Sequence, residues 1–312
     1  MERVIVRAPA TTSNLGPGFD VHGLALDVMY DTVEIARVDK RGIQIEVEGV
    51  GKDRIPTKPS YNTAGRVALE FLRRYGRCGL KIKIIKGIPP GSGLGSSAAS
   101  AAATSVGLNT LLQTKLDNLN LTEIASKGEI ASAGTAHADQ VSASIYGGFV
   151  IVYSYKPLSV AAFPPPKNVE FALAVPQNIE KTTKQARAVL PRRVSLSNVV
   201  NNLGACSLVT AGMILSDPEL IGRGMNSDCI VEPARSSLYP GFTKAKLAAI
   251  ECGALGVTLS GAGPTIIAVV DPLKASAQEV SKAMKLAYES EGVACESYVS
   301  RATTGAKVID TS

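Results

Sequence analysis

Between Pro89 and Ala103 the chain reads PPGSGLGSSAASAAA. Glycine has no Cβ, so Gly91, Gly93 and Gly95 permit positive φ and let main-chain N–H groups converge on a ligand. Ser96 and Ser97 follow and open an alanine-rich stretch that reads as a helix to about Leu112. A helix start presents unsatisfied amides and the positive end of its dipole, so the natural occupant of this corner is a phosphate. Two better-known phosphate loops do not fit. No lysine follows Gly95, as a Walker loop requires, and Gly91-Ser-Gly93-Leu-Gly95 has Ser96 where a dinucleotide loop needs its third glycine.

Flanking elements set where this corner can sit. LKIKIIK, Leu80 to Lys86, alternates as a strand and runs directly into the turn. Arg3 to Arg7, Val28 to Val38 and Ile43 to Val47 also read as strands, and Ala64, Val67, Ala68, Phe71 and Leu72 share one stripe of a helix from Tyr61 to Tyr75. Helices are predicted over Ile124 to Ala131 and His137 to Tyr146, then a strand from Phe149 to Tyr153. Pro164 to Pro166 favour an extended spacer, which divides the chain into residues 1–163 and 167–312. The second half mixes strands at Val169 to Val175, Val257 to Ser260, Thr265 to Val270 and Ala294 to Val299 with helices near Val199 to Leu215, Thr243 to Cys252 and Ala275 to Glu291. The class is α+β.

With 312 residues, 45% of them hydrophobic and 19% charged, the chain can bury a sizeable core. Its formal charge of +6 suits anionic ligands, yet the basic residues are scattered, tryptophan is absent and aromatics make up 5%, so nucleic acid is not an expected partner. Five widely spread cysteines without a C-x-x-C pair argue against a disulfide framework and a zinc site. Leu94 to Leu112, the most apolar-looking stretch, is too rich in Ser, Thr and Gly for a membrane span, and ERVIVRAP after Met1 is not a secretory signal. A cytoplasmic protein is expected.

Three segments in order, APATTSNLGPGFDVHGLAL, PPGSGLGSSAA and TLSGAGPTIIAV, span nearly the whole chain. On them the sequence resembles the GHMP small-molecule kinases, and among these most the homoserine kinase branch, which shares EPAR-x-x-L-x-PGF. The resemblance implies the GHMP kinase fold: an N-terminal α/β domain with a left-handed βαβ element and a C-terminal ferredoxin-like α+β domain, with the site between them. It implies ATP-dependent phosphorylation of L-homoserine to O-phospho-L-homoserine in threonine biosynthesis, with ATP and Mg²⁺ as co-substrate and cofactor, and a homodimer. The alternatives are another GHMP small-molecule kinase and a non-catalytic nucleotide-binding regulator.

Residue roles follow from the same resemblance. ATP is expected against Asn62 and the run Pro90, Gly91, Ser92, Gly93, Leu94, Gly95, Ser96, Ser97, Ala98 and Ala99, with Lys86 and Gly87 bordering the adenine. Ser97 and Glu129 are the expected Mg²⁺ positions, in keeping with a hard cation's taste for oxygen. A zwitterionic acceptor needs a cation for its carboxylate and an anion for its ammonium. Arg187 and Arg235 match the carboxylate-binding arginines, Asp20 the ammonium partner and Asn14 the hydroxyl end, while His137 begins HADQ, a variant of the family's H-P-D-N. Gln140 stands where several related kinases carry an aspartate, and an amide cannot take a proton at neutral pH. Asn14, His137 and Gln140 are therefore expected around a hydroxyl that attacks without a dedicated base. His22 is expected to be structural.

Overall fold

A computed structural model describes residues 1–312 except 77, 134–137, 178, 180 and 181. The first sheet is built from β1 (Arg3–Asn14), β2 (Gly18–Val38), β3 (Gly42–Gly49), β4 (Gly79–Lys86), β5 (Phe149–Tyr155) and β6 (Leu158–Phe163), with α1 (Thr63–Tyr75), α2 (Ser96–Leu111), α3 (Asn118–Ala133) and α4 (Asp139–Tyr146) between them. β1 and β2 pair antiparallel, β4 lies on β2, and β3 runs parallel to β4 with α1 as the crossover. Asn62 starts α1 by accepting the Gly65 amide at 3.1 Å. α2 has no single apolar face because it is buried on nearly all sides, from Ala98 to Leu108, and its small side chains allow close approach to the sheet and to α3.

The second half continues with β7 (Glu170–Pro176), α5 (Thr183–Ala188), α6 (Leu196–Leu215), α7 (Pro218–Met225), α8 (Val231–Arg235), α9 (Phe242–Glu251), β8 (Gly256–Leu259), β9 (Ile266–Val270), α10 (Ala277–Ser290) and β10 (Cys295–Ser300). The sheet order is β10-β7-β9-β8, all antiparallel, which is the ferredoxin-like arrangement. Tyr288, Met284, Phe242 and Val257 fill the layer between this sheet and its helices.

The prolines at 164–166 fall between β6 and β7, where the chain leaves one sheet for the other. Two elements depart from the sequence reading. The strand expected from Val28 begins at Gly18, its first part hidden by glycines and register shifts against β1. β11 (Lys307–Thr311) was not expected at all, and it pairs with β1, not with the second sheet, so residues 167–312 are not confined to one unit. Every side chain of β11 is exposed; its place is set by main-chain pairing, which leaves no hydrophobic pattern to read.

Candidate active site

Gly91, Gly93 and Gly95 all have positive φ, at 77°, 87° and 67°. They serve different neighbours. A Cβ on Gly91 would meet only the tip of Arg54 at 3.6 Å, whereas one on Gly93 would lie 2.5 Å from Ser260 O and one on Gly95 2.0 Å from Thr11 Oγ1. Only at Gly91 would a side chain point into open space; at Gly93 and Gly95 the missing Cβ lets the loop press onto protein, while all three glycines line the cavity in front of the helix start.

The loop rests on a buried ionic knot. Lys86 Nζ pairs with Asp31 and donates to Ser96 O at 2.7 Å and Ser100 Oγ at 2.9 Å, while Asp31 Oδ1 accepts the Gly87 and Ile88 amides at 3.1 Å each. This ties β2, the end of β4 and the first turn of α2 together. Lys86 therefore sits beneath the phosphate corner, and Gly87, whose Cβ would fall 2.2 Å from Tyr30 O, faces protein. Lys86 nonetheless lines the cavity that faces the loop, while Gly87 is not part of its lining.

Gly95 offers no capping side chain, so the first-turn amides of α2 at Ser96, Ser97 and Ala98 point to whatever lies before the helix. Leu94 N is already bonded to Ser92 Oγ and Ala99 N to Gly95 O, which removes those two amides from the expected set. The side chains of Ser92, Leu94, Ala98 and Ala99 are buried away from the cavity. The turn 260–264 packs on the loop from the other half: Ser260 Oγ donates to Gly93 O at 2.8 Å, and Thr265 N to Ser92 O at 3.1 Å.

In front of the helix start lies a cavity of about 520 Å³. Its lining includes Pro90, Gly91, Ser97 and Glu129 at the helix start, together with Ile55, Pro56, Tyr61 and Asn62, and a far group of Asn14, Asp20, Arg187 and Arg235, with Asp139 and Gln140 also on its wall. Asn62 lines it with its amide engaged, by Gly65 N and by Pro56 O at 2.8 Å. His137 lies outside the described residues.

Charges are arranged along this space. Ser97 Oγ donates to Glu129 Oε2 at 3.0 Å, and burial pushes the Glu129 carboxyl up to about 7. Two adjacent oxygens, one on a buried carboxyl that a cation would relieve, fit a hard divalent ion, although the described residues contain no cluster of three or more His, Cys, Asp or Glu. At the far end Arg187 Nη2 reaches both Asp20 oxygens at 2.6 Å. Arg235 is buried, with Nε donating to Ala186 O at 3.0 Å and Nη1 to Gly261 O at 3.1 Å. Both guanidiniums stand 5.1 Å from the Phe19 ring.

Asn14 and Asp20 are held by the turn between β1 and β2. Asn14 Nδ2 donates to Gly261 O at 2.8 Å, its Oδ1 accepts Asp20 N at 3.1 Å, and Tyr155 OH donates to Asp20 O at 2.7 Å. Asp20 has φ 58°, a conformation a non-glycine residue keeps only where neighbours hold it. Gln140 lines the same wall, with Nε2 3.5 Å from Gly93 O. His22 is buried with Nε2 3.0 Å from Thr210 Oγ1, and burial lowers its pKa to about 4, so it is a neutral core residue.

Asp139 escaped the sequence reading. It is buried in the first turn of α4, and burial, with Asp20 adding repulsion, raises its carboxyl to about 6 against the pull of the Gln140 amide, the Ser13 side chain and Arg187. Its signal was the third letter of HADQ, read only for the residues around it. Tyr155 left none, since a tyrosine in an alternating strand looks like any other.

Residues 62–148 match the GHMP kinases N terminal domain and residues 209–290 the GHMP kinases C terminal domain. Homoserine kinase of Methanococcus vannielii is 40% identical over 306 residues, 98% of this chain and 98% of that protein. The chain belongs to the GHMP kinases. Homoserine kinase of Methanocella arvoryzae is 39% identical across 99% of this GHMP kinase and 98% of its relative. Among solved structures, homoserine kinase from Cytophaga hutchinsonii superposes with a TM-score of 0.91 at 41% identity, covering 99% and 98% of the two chains. A mevalonate kinase structure, at 16% identity, TM-score 0.71 and coverage of 96% and 99%, shares the GHMP kinase fold.

Proposed function

We propose that this GHMP kinase transfers the γ-phosphoryl group of ATP to the side-chain hydroxyl of L-homoserine, in the cytoplasm and for threonine biosynthesis. The observation that carries the reading is the shared cavity: an uncapped helix start at one end, and at the other two arginines and two aspartates able to hold a zwitterion. The polyphosphate lies on the amides of Ser96, Ser97 and Ala98, and the base extends along Ile55, Pro56 and Tyr61. Ser97 and Glu129 hold Mg²⁺, which when bound neutralises phosphate oxygens.

The zwitterion inserts into the Arg187–Asp20 ion pair, its carboxylate taking Arg187 and Arg235 and its ammonium facing Asp20 and Asp139. Asn14 and Gln140 orient the hydroxyl, with His137 beside them as the resemblance implies. The hydroxyl oxygen bonds to the γ-phosphorus as the bond to the bridging oxygen breaks, ADP leaves, and the proton departs late to a phosphoryl oxygen or solvent. No side chain need take it, because Gln140 is an amide and the loose transition state is served by alignment and charge.

ADP release with homoserine, beside analogues lacking the carboxylate or the ammonium, tests the reading. Removal of the carboxylate is expected to lower kcat/KM by about a thousandfold or more, as two charge-assisted contacts vanish. No turnover of homoserine, or equal turnover of the analogues, would contradict it. An acid limb in kcat that disappears in Asp139→Asn would instead overturn the baseless step.

Tyr155→Phe removes one hydrogen bond from the backbone of Asp20 and nothing from the nucleotide end. The KM for homoserine is expected to rise about tenfold with the KM for ATP and kcat nearly unchanged. Equal shifts in both KM values would show a general loss of structure instead.

A further inference from the structure

Among the described residues, the cations that line the cavity are Arg54, Lys86, Arg187 and Arg235. Three of them are engaged. Lys86 is held by Asp31, Arg187 by Asp20, and Arg235 by the carbonyls of Ala186 and Gly261. Arg54 makes no ion pair and no side-chain hydrogen bond among the described residues, yet its Nη2 lies only 3.6 Å from the point that a Cβ on Gly91 would occupy. The guanidinium thus stands at the outer lip of the glycine-rich turn, beside the one loop glycine at which a side chain would point into open space.

We propose that Arg54 is a phosphate-binding residue that closes over the nucleotide from the solvent side and neutralises the two phosphates that remain in ADP. This role presupposes the proposed use of ATP. A nucleoside triphosphate stays anionic with Mg²⁺ bound, and the start of α2 offers only about half a positive charge. No lysine follows Gly95, and Lys86 is neutralised by Asp31, so neither supplies the cation that a Walker loop takes from its own lysine. A guanidinium offers instead a planar fork of donors suited to phosphate oxygens.

Position along the chain selects the phosphates. Arg54 directly precedes Ile55 and Pro56, which line the cavity where the base extends, so it stands between the base and the turn. Its backbone is pinned. It ends a short 3₁₀ turn, Lys52–Arg54, begun by Gly51 at φ 67°, and its own amide donates to Gly51 O at 3.0 Å. Val50 N donates to Lys86 O at 3.0 Å, and a Cβ on Gly51 would lie 2.8 Å from Pro90 Cδ, so this segment presses onto the start of the glycine-rich turn. The neighbouring Lys52, Asp53 and Lys58 are exposed and outside the cavity lining, and Lys58 Nζ lies over the Tyr61 ring at 5.1 Å. Within this charged stretch, Arg54 is the residue that faces the cavity.

Calorimetric titration of the full chain with ADP in excess Mg²⁺, and separately with adenosine, tests the role. Arg54→Ala is expected to weaken ADP about tenfold, the modest value of a charge-assisted contact open to solvent, and to leave adenosine unchanged. Arg54→Lys, which keeps the charge without the fork, is expected to recover part of that loss. Raising NaCl from about 50 to about 500 mM should weaken ADP more in wild type than in Arg54→Ala, because the screened contact is missing from the variant. In the coupled assay kcat/KM for ATP should fall about tenfold in Arg54→Ala, with the KM for homoserine unmoved. Unchanged ADP affinity in Arg54→Ala, or an equal loss of ADP and adenosine affinity, would overturn the assignment. ADP weakened by the substitution in a chain that does not turn over homoserine would support it and sink only the proposed acceptor.

Discussion

Glu129→Gln is expected to lower kcat/KM for ATP by about a hundredfold or more while making the ligand-free protein more stable at pH 8. The two effects share one cause. Burial raises the carboxyl from an ordinary 4.5 to about 7, so its ionised form is penalised in the fold. A carboxyl whose folded pKa lies above its unfolded value contributes stability that is complete below about 4.5 and is lost as pH rises through about 7. The full shift corresponds to about 3 kcal/mol, an upper bound on what the amide recovers. The same sign governs activity: the cation needs the carboxylate, so kcat/KM for ATP should fall as pH drops through about 7, and Mg²⁺ binding should release a proton. Thermal melts at pH 5 and pH 8 beside the rate profile check both halves. A variant less stable than wild type at pH 8, or wild-type activity in it, would show that Glu129 is an ordinary structural residue.

Gly93→Ala acts through the backbone. The residue has φ 87°, and the new Cβ would lie 2.5 Å from Ser260 O and 2.8 Å from Gly263 O, main-chain atoms of a turn that cannot swing aside. Strain and displacement together should cost about 3 kcal/mol or more and push the loop off the turn 260–264. Activity should fall at least a hundredfold. Gly91→Ala makes the comparison: its φ is 77°, but its nearest neighbour is a flexible Arg54 tip, so a cost of about 1 kcal/mol is expected. Equal melting temperatures for the two variants would contradict this division of labour within the loop.

What the sequence disclosed and what it hid have physical reasons. A positive φ leaves its mark in composition, so the phosphate corner could be read from three alternate glycines between a strand and a small-residue helix. Which of them face a ligand could not, because Ser260, Gly263 and Thr11 approach from elsewhere in the chain. Asp31 and Lys86 each sit among alternating strand residues, and nothing local says that they meet across 55 positions beneath the loop. Arg187 and Arg235 became site residues through resemblance alone; their convergence on Phe19 is a product of topology. Asp139 was passed over beside the more unusual Gln140, although both line the cavity.

The most direct measurement is a crystal structure of the wild-type protein with a non-hydrolysable ATP analogue, Mg²⁺ and homoserine. The account expects the polyphosphate on the amides of Ser96, Ser97 and Ala98, and the amino-acid carboxylate between Arg187 and Arg235. Nucleotide bound away from the start of α2, or homoserine bound without either arginine, would contradict it.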